Sequence, residues 1–74
     1  MKPSQAVDFF GDRGQLALIC NVTPTAIHHW VKQGWMPYDK QCLVQVESER
    51  SVKKGRLVAS WQDVPEEKRP KKAA

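Results

Sequence analysis

Four side chains in this sequence can serve as soft metal ligands: Cys20, His28, His29 and Cys42. A structural zinc site needs its ligands in close pairs, about two to five residues apart on both sides of a loop. Cys20 and Cys42 stand alone, and the adjacent histidines project from different sides of a helix, so the set predicts no metal site. Acid/base catalysis needs two carboxylates held together at a site. Glu47 and Glu49, like Glu66 and Glu67, fall in polar stretches that a folded chain leaves in water. There is no phosphate-cradling glycine loop and no nucleophile elbow. The expectation is a protein that is no enzyme, carries no cofactor and takes no small-molecule substrate. Both cysteines lie in apolar, helix-like stretches and are expected to be buried thiols rather than a disulfide.

Binding chemistry remains, and the charge directs it. The 74 residues carry a formal net charge of +4, and the sequence pI is about 9.3. A basic surface on so small a domain favours nucleic acid or another anionic partner. The charge is concentrated in Lys53, Lys54 and Arg56, and again in Lys68, Arg69, Lys71 and Lys72. Both clusters read as solvated segments that add salt-sensitive, nonspecific affinity if they flank a duplex. Hydrophobic residues make up 41% of the chain, enough for one small domain whose core is marginal at this length. The N-terminus lacks the apolar stretch of a signal peptide, and no apolar run approaches the roughly 20 residues that span a bilayer. A cytoplasmic protein with no membrane partner is expected.

The elements that would position a binding surface are marked by local signals. Ser4 is a candidate N-cap after Pro3, and Ala6, Val7, Phe9 and Phe10 lead to a stop at Gly11. Asp12 can cap a second helix, with Gln15 three residues on and an apolar face of Leu16, Ala17, Ile19 and Cys20. Asn21 suits the sharp corner that follows, because Asn tolerates the left-handed conformation. Thr23-Pro24 is the clearest helix start in the chain: Thr23 caps, and Pro24 takes the first helical position. Ala26, Ile27, Trp30 and Val31 recur at helical spacing up to Gly34. After Pro37, the spacing of Tyr38, Cys42, Leu43 and Val46 predicts a fourth helix to about Arg50.

The last third is less clearly marked. Ser60-Trp61-Gln62-Asp63 has the form of a capping box and predicts one more helical turn before Pro65. Residues 42–46 are also rich in β-branched side chains and could pair with residues 57–61 as a hairpin. The expected fold is all-α, a bundle of four to five short helices over residues 1–64, with an α+β form carrying a C-terminal β-hairpin as the alternative. Residues 65–74 offer little to bury and are expected to be a disordered basic tail.

Residues 13–33 hold the most informative pattern: two short helices, a tight turn, and polar and basic side chains on the outside of the second helix. That is how a helix-turn-helix presents a recognition helix to the major groove of duplex DNA. The segment FFGDRGQLALICNVTPTAIHHWVKQGWMP resembles the small Cro-type repressors of temperate bacteriophages and prophages and their YdaS-like bacterial relatives. The resemblance is carried by Phe10-Gly11, Ala17, Val22-Thr23-Pro24, Ala26-Ile27, Trp30 and the Gly34 to Pro37 exit. GRLVASWQDVP resembles the ending that follows the fourth helix in such proteins, so the likeness spans about residues 7–65. The chain departs from the family at Asn21, where Gly is usual, and in residues 48–54, which lack the usual glycine pair. The family includes all-helical and hairpin-bearing members.

The resemblance implies a sequence-specific repressor of transcription that occupies an operator in double-stranded DNA. By the family's pattern, Thr25, His28 and His29 are the candidates for base contact. Lys32 and Gln33, with Thr23 at the helix start and Arg13 and Gln15 in the first turn of the second helix, are the candidates for phosphate contact. One short recognition helix reads only a few base pairs, so such proteins act as homodimers on paired half-sites. Trp35, Leu57 and Trp61 are the candidate dimer contacts and Trp30 is expected in the core, while Trp35 and Met36, in the link after Gly34, either cover the edge of the core or, if exposed, meet a partner subunit. The rival reading is a small helical protein-interaction module that binds through Trp35 and Trp61, its basic charge incidental.

Overall fold

The computed structural model describes residues 1–51, 55 and 57–69. Four α-helices follow one another: α1 (Pro3–Phe10), α2 (Arg13–Cys20), α3 (Pro24–Gln33) and α4 (Tyr38–Arg50), then 3-10 turns at Trp61–Asp63 and Glu66–Lys68. There is no strand among the described residues, so the chain is a small all-α bundle. α2 is its hub and packs on α1, α3 and α4. Leu16, Ala17 and Cys20 of α2 meet Ala6, Ile27, Met36 and Val44 in one buried cluster, with Val7, Phe10, Ile19, Val22, Trp30, Val31 and Leu57 packed around it.

The helix ends follow from local chemistry. α1 starts two residues earlier than the Ser4 cap predicts, with Lys2 as its N-cap. Pro3 takes the first helical position, for which its fixed φ is suited, and Gln5 Oε1 accepts the Lys2 amide at 2.7 Å. The Asp12 carboxylate accepts the Gly14 amide at 3.0 Å and caps α2. Asn21 closes α2 in the left-handed conformation (φ 57°, ψ 47°), and the Val22 amide reaches back to the Ala17 carbonyl at 3.0 Å. This is a Schellman-type end, and it turns the chain within residues 21–23. Thr23 Oγ1 accepts the Ala26 amide at 3.3 Å and starts α3. Gly34, at φ 92°, ends it.

α4 is a helix, but its buried face is not the apolar one. Gln41, Val44 and Ser48 point inward, whereas Leu43 and Val46 are exposed and Tyr38 and Cys42 half-buried. The reason lies in residues 57–60, which run along α4 and hand their amides to its side chains instead of to a strand. Leu57 N donates to Ser48 Oγ (3.0 Å), Ala59 N to Gln45 Oε1 (2.8 Å) and Ser60 N to Gln41 Oε1 (2.8 Å). These bonds take the place of the hairpin ladder. Gln41 also accepts from the Met1 ammonium (3.0 Å) and donates to the Met36 carbonyl (3.0 Å). The ammonium in turn donates to the Val58 carbonyl and pairs with Asp63, both at 2.8 Å. One buried amide thus ties the start of α1, the α3–α4 link and the C-terminal segment together.

Of the two readings of Met36 the core one holds: it is fully buried, because the link from α3 to α4 turns it under the bundle. Ordered structure also extends past residue 64: Glu66–Lys68 forms a 3-10 turn, and Arg69 Nε donates to the Val64 carbonyl at 2.9 Å. Residues 70–74, and the cluster Lys53, Lys54 and Arg56, lie outside the described residues. Among the described residues no helix is long and apolar enough to cross a membrane.

Both cysteines are free thiols, Cys20 buried and Cys42 half-buried. Burial pushes the Cys20 thiol from the ordinary 9.0 up to about 11, against the opposing pull of Lys40. The unfolded chain therefore loses this proton before the folded chain does. Stability is complete below pH 9 and falls as the pH rises towards 11, by about 2–3 kcal/mol. Urea midpoints at about pH 8 and pH 11 are expected to show this loss in the wild type and much less of it in Cys20→Ser. Equal losses in the two proteins would remove Cys20 as the cause.

Candidate nucleic-acid interface

The site begins with α2 and the turn at residues 21–23, which set the direction of α3. Ile27 is fully buried, and Trp30 and Val31 pack against the core from the same side of the helix. At about 100° per residue, this leaves Thr25, His28, His29 and Lys32 on one outer arc about 100° wide. All four are exposed, as is Gln33. His28 and His29 stand at the edges of the arc with ring centroids 6.3 Å apart, and their planes cross at 63°. The two rings thus flank Thr25 and Lys32. Rings at the edges and short or flexible side chains between them can enter a groove and present donors and acceptors to base edges.

The candidate phosphate contacts divide into stronger and weaker ones. Arg13 is exposed in the first turn of α2, beside that helix's amino end. Gln15 is exposed too, but it shares a shallow cleft with Phe10, Asp12, Glu47 and Ser51. Two carboxylates in that cleft repel phosphate, which makes Gln15 the weaker of the pair. Thr23 is exposed, and its hydroxyl oxygen is engaged in capping α3, leaving the hydroxyl proton to donate. Gln33 is turned back onto its own chain, where Nε2 donates to the Trp35 carbonyl at 2.8 Å. Lys32 keeps a basic charge at the carboxyl end of α3, which also suits the helix dipole.

Residues 13–33 contain no Asp or Glu at all, although the chain has eight. Residues 13–33 therefore present phosphate with Arg13, Lys32 and two imidazoles, and the carboxylate at the start of the unit, Asp12, is engaged in capping α2.

The candidate dimer contacts lie elsewhere. Leu57 packs against the chain's own core. Trp61 stacks on Tyr38, with ring centroids 4.1 Å apart and planes within 8°. These two rings, Trp35, Pro37, Asp39, Val64 and Lys68 line an open cleft of about 410 Å³. Trp30 is only half-buried, so its truncation removes less than a fully buried indole would. Trp30→Ala is expected to cost about 2–3 kcal/mol in a urea titration, short of the 3–5 kcal/mol of complete burial. A variant unfolded without denaturant would show that the indole carries more than its half-buried position implies. Among the described residues no group of three or more His, Cys, Asp and Glu could hold a metal ion. No family model, curated protein or solved structure matches this chain.

Proposed function

We propose that this protein binds duplex DNA sequence-specifically through the outer face of α3 and represses transcription in the manner of the Cro-type proteins it resembles. The observation that carries the proposal is the exposed arc of Thr25, His28, His29 and Lys32, on a capped helix set at a tight turn from a carboxylate-free α2. Phosphate contacts from Arg13, Lys32 and the start of α3 supply affinity and fix the register. Thr25, His28 and His29 supply discrimination: Thr25 through its methyl and hydroxyl groups, the imidazoles through a donor or acceptor nitrogen. Repression then needs no chemistry beyond occupancy of an operator that overlaps a promoter. Two copies read the two half-sites of such an operator, about one helical turn apart.

Selection from a random duplex pool tests this. The expected result is a two-fold symmetric site bound about 10³-fold or more tightly than scrambled DNA at the same salt. Binding that is weak, falls steeply with salt and enriches no sequence would contradict it. The aromatic cleft of Trp35, Tyr38 and Trp61 favours a second reading, a protein-interaction module. On that reading the same selection enriches nothing, and replacing the outer residues of α3 changes no function.

A further inference from the structure

The outward side of α4 carries a pattern that the bundle itself does not use. Asp39, Leu43, Val46 and Arg50 follow at steps of four, three and four residues. On a helix they form one stripe about 60° wide. All four are exposed, Leu43 at 45% and Val46 at 51%. The buried face of Gln41, Val44 and Ser48 lies on another side of the helix, and residues 57–60 bond to that side, leaving the stripe uncovered. Two apolar residues at coiled-coil spacing, with a charge at each end, make a seam for a second helix.

The order of the charges says which helix. The stripe is symmetric about the midpoint of α4, between Val44 and Gln45. Laid antiparallel on a copy of itself, it places Leu43 against the partner's Val46 and Asp39 against the partner's Arg50, twice over. Laid parallel, it would set carboxylate against carboxylate and guanidinium against guanidinium. A self-complementary patch of this kind is what a two-fold interface requires.

We propose that this chain forms a homodimer through α4, paired antiparallel about a two-fold axis at the middle of the helix. Leu43 and Val46 form its apolar centre, and an Asp39–Arg50 ion pair closes each end. The surface is centred on Leu43 and Val46 and adjoins the cleft of Trp35 and Trp61 only at Asp39, while Leu57 packs on the chain's own core and Trp61 on Tyr38. The inference rests on α4 alone and stands whether or not α3 reads DNA. If α3 does, the same two-fold axis relates two recognition helices as a palindromic operator relates its half-sites. The seam is short, so the dimer is expected to dissociate at about 10–100 µM.

Sedimentation equilibrium of the full chain without DNA, from about 1 µM to 1 mM, tests the proposal. The wild type is expected to pass from monomer to dimer across that range. Asp39→Arg and Arg50→Asp each put like charges at both ends of the seam and are expected to weaken the dimer about 10- to 100-fold. An equimolar mixture of the two variants restores opposite charges at both ends, so dimers should return in the mixture alone. Both swaps oppose the dipole of α4, so far-UV circular dichroism accompanies each measurement. Leu43→Lys, at an exposed position, gives an independent loss of dimer if either swap disturbs the helix. A wild type that stays monomeric to about 1 mM overturns the proposal. So does a dimer that survives the charge swaps or Leu43→Lys, or a mixture that remains monomeric.

Discussion

Replacement of His28, His29 and Lys32 together by alanine is expected to abolish discrimination between a selected site and scrambled duplex while the fold stays intact. All three side chains are exposed on α3, whose packing is carried by Ile27, Trp30 and Val31. Alanine is a better helix former than either original residue type, so the helix does not weaken. The two imidazoles each stand to lose a base contact worth about 1–3 kcal/mol, which together is roughly 30- to 10⁴-fold in specific affinity. Lys32 acts differently. Loss of its charge weakens binding to every sequence and lowers the salt slope by about 1. Fluorescence anisotropy against both duplexes, at two or more salt concentrations, separates the two effects. An unchanged preference in a folded triple variant would move the binding surface away from α3.

Gln41→Leu is expected to be the most damaging single substitution in the bundle. Leucine fills nearly the same space, so a cavity is not the issue. The variant leaves the Ser60 amide, the Met36 carbonyl and the Met1 ammonium without the partner that each has in the wild type. Each neutral group left unpaired in a buried place costs about 1–3 kcal/mol, and a charged one more. The ammonium retains Asp63 and the Val58 carbonyl, which limits its share. The sum is about 3–5 kcal/mol, comparable with the whole stability of many domains this small. Thermal melts followed by circular dichroism should show the variant largely unfolded at room temperature or melting far below the wild type. Gln41→Glu keeps an acceptor for the Met1 and Ser60 donors and should be milder. A Gln41→Leu protein that melts with the wild type would mean that the three segments are held by other contacts.

The two predictions fall on parts of the chain that differ in how well they can be read from sequence. The α2–turn–α3 unit is written in local signals. Asp12, Asn21, Thr23-Pro24 and Gly34 each act within a few residues, and each caps or ends the helix it marks. The outer arc of α3 was legible for the same reason, since once Ile27 is inward the positions of Thr25, His28, His29 and Lys32 follow from helical geometry. α4 was legible as a helix but not as a face. Periodicity counts apolar residues, and it selects Tyr38, Cys42, Leu43 and Val46. What decides burial there is the row of polar acceptors at Gln41, Gln45 and Ser48, whose donors arrive from residues 57–60 and from Met1. No local rule connects positions so distant along the chain. Met36 was left with two readings because a residue between Gly34 and Pro37 looks like a link, and only the reversal from α3 to α4 turns it into the core. The start of α1 moved for a smaller reason: Pro3 competes with Ser4 for the helix start and wins because proline is already set for the first turn.

Whether the outer face of α3 is the surface that meets DNA is tested by mapping amide and imidazole resonances during titration with duplex DNA. The expected result is that shifts concentrate at Thr25, His28, His29 and Lys32 and at Arg13, with little change at Trp35, Tyr38 and Trp61. Shifts centred on the aromatic cleft, or spread evenly over the basic residues without a centre on α3, would contradict the account.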